Sequence, residues 1–244
     1  MEIIGHRGAM WDAPENTLVS FRMGWEQRAD IVECDVRLTA DGRIVAIHDA
    51  TTGRTAGVDL DVLETSSDEL RKLDVGSFKG PEFVGERIPF LEEALETVPS
   101  HGKLFVEIKC GTEILRPLER VIAQSGKAGQ VTLIEFDLQV VTEAKKLMPE
   151  RDVYWLRSTP RDESGNQVEY DPGIINVVAE HGLDGLDLHY AGLTPALAEA
   201  IRAAGKKLYV WVTNDPDVAR RLMQMKIDGL GTDRPGWLRE QLGL

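Results

Sequence analysis

The feature that most constrains this chain is a rhythm. Short runs of β-branched and apolar residues alternate with stretches of helical periodicity along its whole length. The β-type runs fall at 2–5, 30–36, 103–109, 130–134, 152–156, 183–188, 207–211 and 227–231. Helical stretches fall at 15–28 (opened by Pro14), 90–98, 113–124, 137–147, 172–181, 194–204 and 216–225, with a short one at 235–241. A strand–helix–strand crossover brings the second strand back parallel to the first. Repeated eight times, it predicts an α/β fold in the form of a (β/α)8 TIM barrel, as one domain over residues 1–244. The length agrees with one barrel of roughly 250 residues. A doubly wound open sheet is the structural rival.

One stretch breaks the rhythm. Residues 43–47, after an Asp41-Gly42 turn, read as an extension of the second strand. Residues 49–88 then carry many Thr, Gly and Asp and only one helical stretch, SSDELRKLD, with Ser66 or Ser67 as its cap. About forty residues is too long for an ordinary strand-to-helix connection. The expectation is a small inserted subdomain at 49–88, after the second strand.

Alternation decides which side chains the barrel would enclose, because successive residues of a strand face opposite ways. In the second strand Val32, Cys34 and Val36 form an apolar face suited to the surrounding helices, which turns Glu33 and Asp35 inward. In the third, Leu104, Val106 and Ile108 face the helices, while Phe105, Glu107 and Lys109 face the interior. Three carboxylates converging beside one lysine are costly to bury unless something pairs them. A divalent cation held by Glu33, Asp35 and Glu107 meets that need, and oxygen ligands favour Mg²⁺ or Ca²⁺. His6 and Arg7 end the first strand and His48 ends the extension of the second. These are the strand ends where catalytic groups of such barrels sit, and the histidines suit an acid/base pair. His101 precedes the third strand and His181 ends a helix, so both read as incidental. His189 follows the sixth strand and could reach the mouth.

Charge and cysteine usage narrow the classes further. The formal net charge is −13. That disfavours nucleic acid and anionic membranes as partners, and any anion site must supply positive charge locally. Cys34 and Cys110 are the only cysteines and form no CxxC pair, so they read as reduced, buried thiols. The N-terminal MEIIGHRG lacks the signature of a secretory signal, and no run approaches the ~20 apolar residues of a membrane span, which makes the cytoplasm the expected compartment. The oligomeric state is left open.

The same residues carry a resemblance. HRG at 6–8, PENT at 14–17, ExD at 33–35, HD at 48–49, ExK at 107–109 and GTDRP at 231–235 resemble the glycerophosphodiester phosphodiesterases, in order and over essentially the whole chain. The resemblance implies hydrolysis of glycerophosphodiesters to glycerol 3-phosphate and an alcohol. It implies His6 and His48 as the acid/base pair, Glu33, Asp35 and Glu107 as ligands of one Mg²⁺ or Ca²⁺, and Arg7 and Lys109 as phosphate contacts. Two places depart from the family's pattern. Glu135-Phe136 stands where Ser-Phe is frequent, and Trp-Val-Thr-Asn at 211–214 stands where Trp-Thr-Val-Asn is frequent. Phe136 and Trp211 would wall an alcohol-side pocket or simply pack the core, and the departures bear on substrate preference while leaving the chemistry intact. Two other readings stay open: a related barrel phosphodiesterase acting on lysophospholipids or sphingolipids, and a non-catalytic phosphodiester-binding protein.

Overall fold

A computed structural model describes residues 1–244. The apolar runs form β1 (Glu2–Gly5), β2 (Ile31–Leu38), β4 (Lys103–Ile108), β5 (Val131–Glu135), β6 (Asp152–Arg157), β7 (Gly185–His189), β8 (Lys207–Trp211) and β9 (Gly229–Thr232). All eight pair in parallel, in the order β1-β9-β8-β7-β6-β5-β4-β2, and a β1–β2 pairing closes the ring. Closure excludes the open-sheet rival, and the fold is a TIM barrel. The helices around it are α1 (Leu18–Glu26), α4 (Leu91–Thr97), α5 (Leu115–Gln124), α6 (Leu138–Leu147), α7 (Ile174–Glu180), α8 (Pro195–Ala203), α9 (Pro216–Gln224) and α10 (Pro235–Leu242). Each turns an apolar stripe to the strands. In α5 the buried residues are Leu115, Leu118 and Ile122, spaced three and four apart as one helix face requires. No helix is long and apolar enough to cross a membrane.

Two cores result from strand alternation. Val32, Cys34, Val36, Leu104, Val106 and Ile108 join the large core between strands and helices. Ile4, Ile31, Phe105, Ile134, Tyr154, Leu156 and Tyr209 point the other way and fill the barrel interior. There Phe105 meets Tyr209 edge-on at 4.9 Å, and Tyr154 stacks on Tyr209 at 5.1 Å. This plug closes the barrel below, so a cavity can open only at the C-terminal ends of the strands.

The structure differs from expectation at several boundaries. Helix α1 begins at Leu18 with Thr17 as its cap, not at Pro14: the Thr17 hydroxyl donates to the Pro14 carbonyl and accepts from Ser20 N–H. Residues 15–17 are thereby left to a loop at the barrel mouth. Residues 43–47 do not prolong the second strand. They form a separate β3 (Ile44–Ala46) that folds back antiparallel on the end of β2, with Val36 opposite Ala46. Within 49–88 the expected helix is a single turn, α3 (Ser67–Leu70), capped by Ser66, and a turn not foreseen, α2 (Gly53–Ala56), precedes it. The segment has its own small core of Val62, Leu70, Val75 and Ile88, which also packs Val45 and Ile47.

Candidate active site

The register of β2 on β4 sets Asp35 beside Glu107 and Glu33 beside Phe105. Oxygens of Glu33, Asp35 and Glu107 lie within 4.8 Å of one another, and all three side chains are buried. At such a distance two ionised carboxylates repel by about 3 kcal/mol at an effective dielectric near 20. Burial, then Asp35 and Glu107, holds the Glu33 carboxyl well above the usual range. Burial and then Asp35 push Glu107 up to about 7. Burial acts on Asp35 in the same sense, but Arg7 and Lys109 outweigh it and keep that carboxyl low. Glu33 Oε1 and Asp35 Oδ1 are buried without a hydrogen-bond partner. Orphaned, hard oxygen donors on a buried cluster fit a divalent cation.

The loop from β1 to α1 supplies the positive charge. Arg7 and Gly8 both take left-handed backbone, at φ 50° and 89°. Gly8 cannot be replaced cheaply, since a Cβ there would lie 2.5 Å from the Ser20 backbone. This turn aims the Arg7 N–H at Glu33 Oε2, 2.8 Å away. The guanidinium lies 2.7 Å from Glu15 and 3.1 Å from Asp35. Asn16, also left-handed at φ 56°, grips Asp35 twice: its Nδ2 donates to Oδ2 at 2.7 Å, and its Oδ1 accepts from the Asp35 N–H at 3.0 Å. Lys109 is hydrogen-bonded to Glu107 and lies 3.4 Å from Asp35.

Each histidine is anchored from behind. His6 Nδ1 lies 2.7 Å from Asp233, and His48 Nδ1 lies 2.6 Å from Asp49. Either bond leaves Nε2 free to face the cavity. Asp233 is itself held by Asn214, at 2.7 Å. Arg54, from α2, ties the two halves of the mouth together, reaching Glu15 at 2.6 and 2.9 Å and Asp49 at 2.6 Å. Burial, with Arg7 and Lys109 adding to it, holds His48 below its usual value.

These groups share one cavity of about 300 Å³. Its polar wall is His6, Arg7, Glu33, His48, Glu107 and Lys109, and its apolar wall includes Ile134, Phe136, Leu156 and Trp211. Phe136 and Trp211 meet edge-on at 5.6 Å. Of the nine residues picked out from the sequence, only Asp35 lacks surface in the cavity, being wholly buried. His189 is not part of the lining: its Nδ1 is bonded to Thr159 at 2.6 Å and its ring packs against Trp211 at 5.1 Å. His101 is exposed, and His181 bonds to Thr142 at the end of α7.

Several site residues were not singled out from the sequence. Glu15 and Asn16 lie inside PENT, Asp49 inside HD and Asp233 inside GTDRP, so the motifs held the signal. Arg54 had none. Asp187, which lines the cavity from β7, follows from alternation, since Leu186 and Leu188 on either side belong to the outer core.

The sequence model of the Glycerophosphoryl diester phosphodiesterase family matches residues 6–237. The chain belongs to this family. It is thus an enzyme of the phosphoric diester hydrolase class. A glycerophosphodiester phosphodiesterase of Caldanaerobacter subterraneus subsp. tengcongensis is 30% identical over 241 residues, covering 96% of this chain and 94% of the relative. Among solved structures, an Oleispira antarctica phosphodiesterase in complex with the product sn-glycerol-3-phosphate superposes with a TM-score of 0.89 at 29% identity, covering 100% of this chain and 97% of that one. The Thermotoga maritima glycerophosphodiester phosphodiesterase gives 0.80 at 27% identity, covering 98% and 97%.

Proposed function

We propose that this family member hydrolyses glycerophosphodiesters to glycerol 3-phosphate and an alcohol. The observation that carries the reading is one cavity flanked by two carboxylate-anchored histidines, a buried carboxylate triad and two cations. The product held by the Oleispira antarctica relative supports the substrate class. Residues 49–88 are read as a small subdomain of one catalytic domain, completing the mouth through Arg54.

Glu33, Asp35 and Glu107 would hold a divalent cation, Mg²⁺ or Ca²⁺, which when bound supplies charge neutralisation for the phosphate and its developing oxyanion. Arg7 and Lys109 contribute fixed positive charge on the same side. His48, whose protonated form burial, Arg7 and Lys109 disfavour, takes the proton of the attacking hydroxyl, whether of water or of the substrate's glycerol, the latter forming a cyclic phosphate that water then opens. His6, backed by Asp233 as a counter-charge for imidazolium, delivers a proton to the leaving alkoxide. Phe136 and Trp211 pack against the organic substituents.

The test is a product assay on a panel of glycerophosphodiesters. Release of glycerol 3-phosphate from at least one is expected, with loss on chelation and recovery with Mg²⁺ or Ca²⁺. A folded enzyme with no turnover on any of them overturns the reading.

A further inference from the structure

Asp187 is the one carboxyl on the far wall of the cavity. It is 3% exposed and lines the cavity, yet its Oδ1 is buried without a hydrogen-bond partner. Its neighbours in register are Leu156 on β6 and Tyr209 on β8, both parts of the interior plug. It lies two residues deeper in β7 than His189, which pairs with Trp211 at the mouth. β7 lies across the ring from β2, which carries two of the triad's carboxylates. A carboxyl oxygen buried in apolar surroundings loses the hydrogen bonds that water gave it, and nothing within the protein replaces them.

We propose that Asp187 is a specificity-determining residue, the floor of a neutral polyol subsite that hydrogen-bonds a hydroxyl on the short arm of the phosphoester. This rests on the phosphodiesterase reading above. A phosphate held beside Arg7 and Lys109 directs one substituent down and across the barrel and the other out of the mouth. The closed floor fits a short, glycerol-sized arm. Burial, and after it Glu107, push the Asp187 carboxyl up, and in its protonated form the carboxyl both donates and accepts. An alcohol hydroxyl needs that pair of roles. An ammonium arm would instead require an ionised carboxylate, whose burial the apolar floor opposes.

The test reads binding of non-reacting phosphate monoesters, so it stands apart from turnover. Calorimetry compares glycerol 3-phosphate, n-propyl phosphate and ethanolamine phosphate on the metal-loaded enzyme. Wild type should prefer glycerol 3-phosphate over n-propyl phosphate by ~10-fold or more. Asp187→Leu should abolish that preference, whereas Asp187→Asn, which keeps a neutral donor and acceptor, should retain most of it. Preference persisting in Asp187→Leu overturns the subsite. So does equal binding of glycerol 3-phosphate and n-propyl phosphate by wild type, a result that needs no variant to fold. Tighter binding of ethanolamine phosphate, lost in both variants, would instead assign an ammonium site and refute the proposal. The functional reading fails separately, by absent turnover in an enzyme that still discriminates the monoesters.

Discussion

At the scale of single residues, the two histidines are alike in anchoring and unlike in setting. Each gives Nδ1 to a carboxylate, but the Asp233 behind His6 is held by the neutral Asn214, whereas the Asp49 behind His48 is held by Arg54. That difference makes their roles separable. A general acid matters when the leaving group is an ordinary alkoxide and little when it is p-nitrophenolate, which departs unprotonated. His6→Ala and His48→Ala should each lose at least ~10²-fold on glycerophosphocholine. On a p-nitrophenyl phosphodiester, His6→Ala should recover substantially and His48→Ala should not. Kinetics on both substrates check this. Rescue of His48→Ala alone would exchange the assignments, and equal loss on both substrates would mean that the pair acts through charge or position.

At the scale of elements, the site depends on short connections more than on the strands that bear the carboxylates. The β1–α1 loop turns through two left-handed residues to bring Arg7 against Glu33, and the single turn α2 brings Arg54 to Glu15 and Asp49. Arg54 thereby links Arg7 to His48 through two carboxylates, and its hydrogen bond is the main reason that the Asp49 carboxyl falls to about 2. The Arg54 side chain is 47% exposed, and the buried Glu15 keeps Arg7 as a partner when Arg54 is removed. Removal should therefore affect function more than folding. Arg54→Met should reduce kcat/KM by ~10- to 100-fold, as loss of groups that orient reacting side chains does. Its Tm should stay within a few degrees of wild type. Calorimetric unfolding and steady-state kinetics test the two halves. A large drop in Tm with normal kcat/KM would make Arg54 a structural tie alone.

At the scale of the whole molecule, the carboxylate triad makes the barrel's stability depend on pH and, on the proposed metal assignment, on a cation. In the folded, metal-free chain Glu107 keeps its proton up to about pH 7, against a usual value of 4.5. Between those values the folded state binds more protons than the unfolded one, so this group's contribution to stability falls as pH rises. A cation needs the carboxylates bare, and it binds the folded state. The gain in Tm on adding Mg²⁺ or Ca²⁺ should therefore be small near pH 5 and grow through pH 7. Glu107→Gln should flatten that rise, and EDTA should abolish activity. Thermal unfolding with and without the ion, at several pH values, checks this. Equal gains at pH 5.5 and pH 8 would sink the linkage.

The sequence by itself determined the barrel and the placement of its charges. Alternation in 31–36 and 104–109 settled which side chains turn inward, because a one-residue slip would bury the charged face against the helices. The helical spacing between strands settled that the sheet is parallel. The motifs then marked six of the candidate residues that line one cavity, with Asp35 beside them, and the two places that depart from the family's pattern supplied Phe136 and Trp211. Tertiary structure decided the rest, because it depends on contacts between residues distant in the chain. Only closure of β1 on β2 and β9 brings Asp233 behind His6, across 227 positions. The folding back of β3 sets His48 at the mouth, where a simple extension of β2 would have carried it away. Arg54 reaches Glu15 across 39 positions from a turn with no periodicity to read. Asp187 looks like any polar residue in an apolar run until the barrel closes around it, and closure is what leaves its Oδ1 buried beside the cavity without a partner from the chain.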